Sequence, residues 1–570
     1  MTRIVNRQYD LQTLHSLVQS GISTPIARAF AARGIKSVDD LEESWGGLLP
    51  PNLLEGTDIA AKRLAKAREH QETVCVVGDY DCDGATACTV AVRGLRMLGI
   101  NVQYLVPDRV TDGYGLSPDI VDQIRERFPE TTLIITVDNG VSAVQAIEHA
   151  NACGMEVIVT DHHLPGSVRP AAAVIVNPNL PESTFPSKAL AGVGVIFYVL
   201  LALRTYLRET GVFTKETQPN LSVLVDLVAL GTVADVVKLD KNNRILVARG
   251  LDRIRRRQTW PGIAALFAVS GRPIESASVR DFGFSIGPRI NAAGRLSTMD
   301  QGIGCLLSDS DVLAMETART LQDINTERRE LQNGMQEAAE QAIEALPEAK
   351  LEDKTTFCLF NESFNEGIVG LVASRLKEKH NRPVIVFARS ETGDLKGSGR
   401  SVPGVHLRDT LDLVNKRIPG AILRFGGHAM AAGLTLKPEA LEAFEEAFEA
   451  VVKAHADAST FEHVIYADGG LAPDEITEEL VEAIDRQIWG QGFETPIFAN
   501  EVTILEQRIL KEAHSKLRVR IGSQVFDAIF FRYAEPLPAR IKMAYAVSIN
   551  EFRGQRNIQL VVAGVEPLEG

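Results

Sequence analysis

Three short runs rich in β-branched residues, Thr73–Val77, Leu133–Val137 and Glu156–Thr160, each lead into a cluster of polar, mostly acidic residues. The clusters are Asp79-Tyr80-Asp81-Cys82-Asp83-Gly84, Asp138-Asn139-Gly140 and Asp161-His162-His163. Near-continuous apolar runs of this length mark strands buried on both faces, as in a parallel sheet. Parallel strands bring their carboxyl ends to one edge, where open α/β sheets bind ligands. Carboxylates gathered there repel one another and stay ionised only beside cations. A fourth cluster, Gly231-Thr232-Val233-Ala234-Asp235-Val236, supplies another aspartate. The pattern predicts a divalent-metal site, binuclear, and with it phosphoryl chemistry.

The rest of the chain frames that site. A length of 570 residues suggests about three or four domains. Residues 1–45 are expected to form a helical lead-in, with Leu11, Leu14, Leu17 and Val18 at helical spacing. Residues 46–308 alternate strand and helix at first and then turn more helical, which implies a mostly parallel sheet in an α/β domain. Residues 309–346 hold no proline and repeat Leu321, Ile324, Leu331, Met335, Ala338 and Ala342 at helical spacing. They read as one long amphipathic helix, with Gly334 as its weak point. A polar break from Pro347 to Lys354 precedes a smaller α/β domain over 347–455. The last segment, 456–570, holds several short alternating runs and predicts a β-barrel of the OB type, a class that binds single strands.

Bulk properties exclude some classes. Six cysteines without a CxxC pair fit a reducing cytosol better than a disulfide framework or structural zinc. The N-terminus lacks an apolar signal core, and the longest uncharged run, Ala189–Leu203, suits a buried helix better than a membrane span. The expected location is the cytoplasm. A net charge of −14 disfavours nucleic acid only weakly, because a local basic groove sets that affinity.

Aspartate is a hard oxygen ligand for Mg2+ or Mn2+, and imidazole shifts the preference toward Mn2+. Asp79, Asp81 and Asp83 alternate, so an extended strand would point them to one face; a sharp turn at Gly84 is the other expectation. Of the adjacent His162 and His163, one can ligate metal while the other contacts phosphate or donates a proton. The run Arg253-Ile254-Arg255-Arg256-Arg257 is expected to be a solvated helix face.

These clusters resemble the DHH phosphoesterase superfamily, named for Asp-His-His. Further stretches resemble its RecJ branch: Gly78 to Thr86, Pro107-Asp108-Arg109, Asp112 to Ser117, and Ile286-Gly287-Pro288-Arg289-Ile290-Asn291-Ala292-Ala293-Gly294-Arg295. So do Lys396-Gly397-Ser398-Gly399-Arg400-Ser401, Phe425-Gly426-Gly427-His428, and Asn550-Glu551-Phe552-Arg553-Gly554-Gln555. The resemblance implies a parallel-sheet DHH domain joined by the long helix to a DHHA1 domain, plus the OB-like barrel. It implies a 5′→3′ exonuclease specific for single-stranded DNA, releasing 5′-mononucleotides in repair and recombination with two Mn2+ or Mg2+ ions.

By that resemblance Asp81, Asp83, Asp138, His162 and Asp235 match metal-binding positions, with Asp138 bridging. Asp79 and His163 match the surrounding catalytic shell. Arg109, Ser398, Arg400 and His428 would contact DNA phosphates, and Arg289 and Arg295 would bind the strand. One position departs: Asn365 stands where relatives often carry histidine. The implied partners are single-stranded DNA, a single-strand-binding protein and a RecQ-type helicase, with the enzyme a monomer. Two alternatives stand beside this reading. One is a phosphoesterase of short oligonucleotides or cyclic dinucleotides; the other is a non-catalytic DNA-end adaptor.

Overall fold

The computed structural model describes residues 2–109, 112–345, 354–552 and 555–568. Most of the expected break after residue 346, and Arg553-Gly554 of the last motif, lie outside them. The chain divides into two compact units: residues 9–325 with 482–496, and residues 1–8 with 326–481 and 497–570.

The chain opens on a strand, β1 (Thr2–Asn6), which corrects the expectation of a purely helical lead-in. Its partner is the parallel strand His463–Ala467. The helical periodicity starts at Leu11, past the strand, and helix Leu11–Gln19 follows it.

The larger unit is built on β2 (Thr73–Val77), β3 (Asn101–Leu105), β4 (Thr131–Val137), β5 (Glu156–Thr160) and β6 (Val174–Val176). All pair in parallel, in the order β3-β2-β4-β5-β6. The chain moves outward from β2 to β3 and then returns to β4 on the other side of β2. The carboxyl ends of β2 and β4 therefore flank the topological switch point, where such sheets leave a crevice.

Alternation along the strands divides the core. Cys75, Val77, Ile134, Val157 and Val159 pack with Ile120, Ile124 and Ile147 of helices Pro118–Arg127 and Val144–Ala152. Elsewhere in the unit, helices Cys82–Met97, Gly192–Glu209 and Val225–Ala234 are almost wholly buried along the stretches that matter here. Each buried Val, Leu or Phe side chain contributes about 1.5–3 kcal/mol, which fixes the frame on which the aspartates stand.

The second unit carries a five-stranded sheet, β10-β11-β9-β8-β7. Its strands are β7 (Phe357–Phe360), β8 (Val384–Arg389), β9 (Leu395–Arg400), β10 (Ile422–Gly427) and β11 (Ala431–Leu436). Only β7 and β8 are parallel. After β12 (His463–Ala467), strands β13 (Phe498–Leu510), β14 (His514–Ile521), β15 (Gln524–Phe530), β16 (Arg540–Phe552) and β17 (Gln555–Pro567) close a barrel in the order β13-β14-β15-β17-β16. The long helix runs unbroken from Asp311 to Glu344, through Gly334. Its 34 residues span about 51 Å at the usual rise. Among the described residues no helix is long and apolar enough to cross a membrane.

Candidate metal centre

The loop after β2 carries Asp79 and Asp81. Asp81 caps helix Cys82–Met97, its Oδ1 accepting from Gly84 N at 3.0 Å. The three aspartates therefore follow neither an extended strand nor a turn at Gly84. Gly84 lies inside the first helical turn, where an added Cβ would sit 2.5 Å from the Asp79 carbonyl oxygen. The glycine serves close approach, and the helix N-terminus favours the carboxylates beside it. Asp83 turns inward: its two oxygens accept from Gly192 N at 2.6 Å and Val193 N at 2.9 Å. Those donors open helix Gly192–Glu209, so a second helix start also faces this site.

Asp138 follows β4 with φ +62°. Its neighbour Asn139 fastens the strand ends, donating to Val77 O and Val137 O and accepting from Leu116 N. His162 and His163 follow β5. Asp235 caps the C-terminus of helix Val225–Ala234. His162 Nε2 stands 3.0 Å from Asp138 Oδ1 and 3.5 Å from Asp235 Oδ2.

Three overlapping ligand sets result: Asp79–Asp81–Asp138, Asp138–His162–His163 and Asp83–His162–Asp235. In each set the donor atoms lie within 4.8 Å of one another. Asp138 belongs to two of them.

The charges are mutually hostile without a cation. Burial, then the charge of Asp81, pushes Asp79 well above the usual carboxylate range and Asp83 up to about 7. Burial and then Asp83 raise Asp138 and Asp235 in the same way. Burial drives His162 down to about 4, leaving a neutral imidazole. His163 goes the other way: burial lowers it, but Asp161, bonded at 2.7 Å, holds it above the usual histidine range.

Asp79 Oδ1, Asp138 Oδ1 and His162 Nε2 are buried without a hydrogen-bond partner. Orphaned buried acceptors are rare in folded proteins and mark an ion or a functional strain. The close Asp138–His162 approach also lacks hydrogen-bond geometry. Oxygen and imidazole donors converging on shared points fit divalent Mn2+ or Mg2+.

Arg109 lies against this region, its guanidinium 4.3 Å from the Tyr80 ring centre. With Tyr80, Arg127 and Thr298 it lines a cavity of about 330 Å³. Arg289 donates to Gln322 Oε1 at 2.8 Å and to the Ser285 carbonyl. Arg295 is half-buried in the last turn of helix Gly287–Leu296. The Arg253–Arg257 run is engaged within its own unit, with Arg256 on Asp252, Arg257 on Glu275 and Arg255 on the Ala277 carbonyl.

The remaining candidates belong to the second unit. Ser398 and Arg400 share one face of β9, and Arg400 Nη1 donates to Ser398 Oγ at 3.1 Å. Burial lowers the Arg400 pKa. A methyl at Gly370, in the first turn of helix Val369–His380, would sit 2.9 Å from Ser398 Oγ and 3.1 Å from Arg400 Nη2. A hydroxyl, a guanidinium and a helix start thus meet, the ingredients of a phosphate cradle. Exposed His428 follows β10, whose Gly427 pairs through Ala432 with Gly399. Asn365 organises the turn ahead of that helix, its Oδ1 accepting from Gly367 N at 2.8 Å.

Residues 73–232 match the DHH family N-terminal domain, residues 353–454 the DHHA1 domain and residues 467–564 the RecJ OB domain. The chain is 44% identical over 554 residues to the single-stranded-DNA-specific exonuclease RecJ of Escherichia coli (strain K12), covering 95% of this chain and 96% of that one. The chain belongs to the RecJ family. The structure of Thermus thermophilus RecJ in complex with Mn2+ aligns over 100% of this chain and 80% of its own, with a TM-score of 0.84 and 27% identity. The Mg2+ complex of the same RecJ aligns over 100% of this chain and 79% of its own, with a TM-score of 0.78 and 26% identity.

Within this RecJ-family site, sequence reasoning left two residues without a role. Asp161 is not free to ligate: its Oδ1 accepts from His162 N, His163 N and His163 Nδ1, and its Oδ2 from Val141 N. Those bonds hold it below the usual carboxylate range against the opposing effect of burial. Tyr114 donates to the Asp138 carbonyl at 3.1 Å and packs edge-on to His163. Its only sequence signal was the Asp-Gly-Tyr-Gly stretch.

Proposed function

We propose that this chain is a 5′→3′ exonuclease specific for single-stranded DNA, hydrolysing phosphodiester bonds to release 5′-mononucleotides. The observation that carries the mechanism is Asp138, a buried carboxylate with an orphaned Oδ1, shared by two ligand sets. Asp81, Asp83, Asp138, His162 and Asp235 would hold two divalent ions, Mn2+ or Mg2+. Bound there, the ions lower the pKa of water and neutralise charge on the phosphate oxygens.

The protein's own groups do the rest. Asp161 orients His163 through the bond at its Nδ1, which sets the ring to contact a phosphate or to donate a proton to the 3′ oxygen as it leaves phosphorus. Asp79 stands beside Asp81 and Asp138 in one ligand set and completes the acidic shell around the ions. Arg109, Ser398, Arg400 and His428 grip phosphates, including the 5′ end, and Arg289 and Arg295 follow the strand. Asn365 keeps a turn-forming role and carries no charge to the substrate.

The proposed division of labour assigns catalysis to residues 46–308, after the lead-in at 1–45. The connector is 309–346, phosphate binding falls to 347–455 and strand binding to the barrel in 456–570. The enzyme would act as a cytoplasmic monomer beside a single-strand-binding protein and a RecQ-type helicase, in DNA repair and recombination. Digestion of 5′- and 3′-labelled single strands and duplexes with Mn2+ or Mg2+ tests the reading. Mononucleotides should leave single strands from the 5′ end; release from the 3′ end, or activity confined to dinucleotides, would overturn it.

A further inference from the structure

A large apolar side chain stands exposed on a segment that packs against the helix leading into Asp235. Phe284 is 77% exposed, in the middle of a π-helical turn, Phe282–Ile286. Its neighbours Phe282 and Ile286 are fully buried, with Phe282 edge-on to Phe267. The turn is therefore anchored on both sides of the one residue that leaves the surface. Single exposed apolar residues are ordinary, so exposure alone assigns nothing. Two further observations single this one out.

The first is attachment to the catalytic elements. A Cβ at Gly283 would lie 3.9 Å from Val233 Cγ1, and one at Gly287 3.2 Å from Ala234 Cβ. Val233 and Ala234 immediately precede Asp235. Farther along, Asn291 Oδ1 accepts from Cys82 N at 2.7 Å, between Asp81 and Asp83. A Cβ at Gly294 would fall 1.9 Å from the Tyr80 carbonyl oxygen. The segment carrying Phe284 is thus seated on two of the elements that hold the ligand sets.

The second is backbone conformation. π-turns are rare and occur mostly at functional sites. Val236, next to Asp235, has φ +62° and is 62% exposed. A β-branched residue in that region is a true outlier, of the kind that clusters at ligand clamps. Two unusual backbones, the π-turn that carries Phe284 and the residue after Asp235, thus occur on elements packed against each other.

We propose that Phe284 is a base-stacking residue that positions a nucleobase of the substrate strand next to the cleaved phosphate. This rests on the exonuclease reading above. An aromatic face accepts any base, so it suits an enzyme that must remove nucleotides regardless of sequence. It also adds strand affinity without placing further positive charge beside the ions.

Steady-state digestion of single strands by the full-length enzyme tests this. Phe284→Ala should raise KM about 5- to 150-fold, the range of one lost base stack, with kcat changed less than KM. Phe284→Tyr should restore it. One base-free nucleotide, moved stepwise from the 5′ end, should raise the wild-type KM by a similar factor at one position and add nothing to Phe284→Ala there. An unchanged KM in Phe284→Ala, or a defect that persists at every base-free position, would overturn stacking while leaving the exonuclease reading intact. Wild-type enzyme inert on single strands would overturn both. Because Phe284 is exposed, Phe284→Ala should keep the wild-type unfolding temperature. Phe284→Leu, of intermediate size and without a π-face, should behave like Phe284→Ala.

Discussion

The acidic edge of the parallel sheet and the Ser398–Arg400 edge of the second unit solve opposite problems in opposite ways. At the first, Asp79 Oδ1, Asp138 Oδ1 and His162 Nε2 are buried with nothing to bond. At the second, the cation is already engaged: Arg400 donates to Ser398 Oγ and to the Gly399 carbonyl at 2.8 Å. The orphaned acceptors at the first have no donor beside them, so an added cation completes their site. An arginine has five donors, and two internal bonds fix its fork while leaving others for a ligand. The acidic site should therefore govern turnover and metal-linked stability, and the basic site should govern affinity.

The largest test of that contrast is Asp138→Ala. Loss of the shared carboxylate should lower kcat at least about 10³-fold, the scale of several kcal/mol of charge stabilisation. Titration calorimetry should show weakened Mn2+ binding. The ion-free variant should unfold at a higher temperature than ion-free wild type, since a repelling buried carboxylate is gone. Unchanged Mn2+ binding would break the comparison from the acidic side.

Arg400→Ala comes next. One charge-assisted phosphate grip is worth about 1.5–3 kcal/mol, or about 10- to 150-fold, read as a rise in KM for 5′-phosphorylated strands. Arg400→Lys should recover only part of this, because an ammonium cannot supply the bidentate fork. Ion addition follows in size: Mn2+ at 100 times its dissociation constant should stabilise the wild type by about 2.7 kcal/mol, with Arg400→Ala responding equally.

Glu55 supplies the smallest and most pointed test. Burial raises its pKa, but Ser183 and Thr184 donate three hydrogen bonds that together outweigh it and bring it down to about 2 from 4.5. A carboxylate with donors is held down, whereas Asp138 without them is pushed up. The folded pKa lies below the unfolded one, so the stabilisation is fully present above about pH 4.5 and fades as pH falls toward about 2. Glu55→Gln should cost about 1 kcal/mol near neutrality, a difference that shrinks across that acid window in denaturant titrations.

Much of the acidic edge could be read from residues, because buried parallel strands leave an unmistakable apolar run and Asp79, Asp138 and His162 follow such runs directly. The long helix was legible for the same reason, as its period persists past Gly334. The second unit's sheet was harder. Strand β9, Leu-Lys-Gly-Ser-Gly-Arg, and the Gly426-Gly427 end of β10 have little intrinsic strand preference, and only neighbouring strands make them extended. Gly84 was misjudged because glycine marks both turns and close approaches, and sequence cannot separate the two. Asp161 was given no role of its own, because its four hydrogen bonds come from backbone and ring positions that only the fold brings together.

Strand β1 has a consequence for how the chain is made. Its parallel partner β12 lies far along the sequence, with Thr2 and His463 separated by 461 positions. Ile4 also bonds to Glu566 and Lys542, within the closing strands of the barrel. At about 5–20 residues per second of synthesis, Thr2–Asn6 leaves the ribosome about 20–90 s before its partner exists. Through that interval its backbone donors and acceptors have no native mate, so a nascent-chain chaperone, or a bulky fusion placed before Thr2, competes for the same edge.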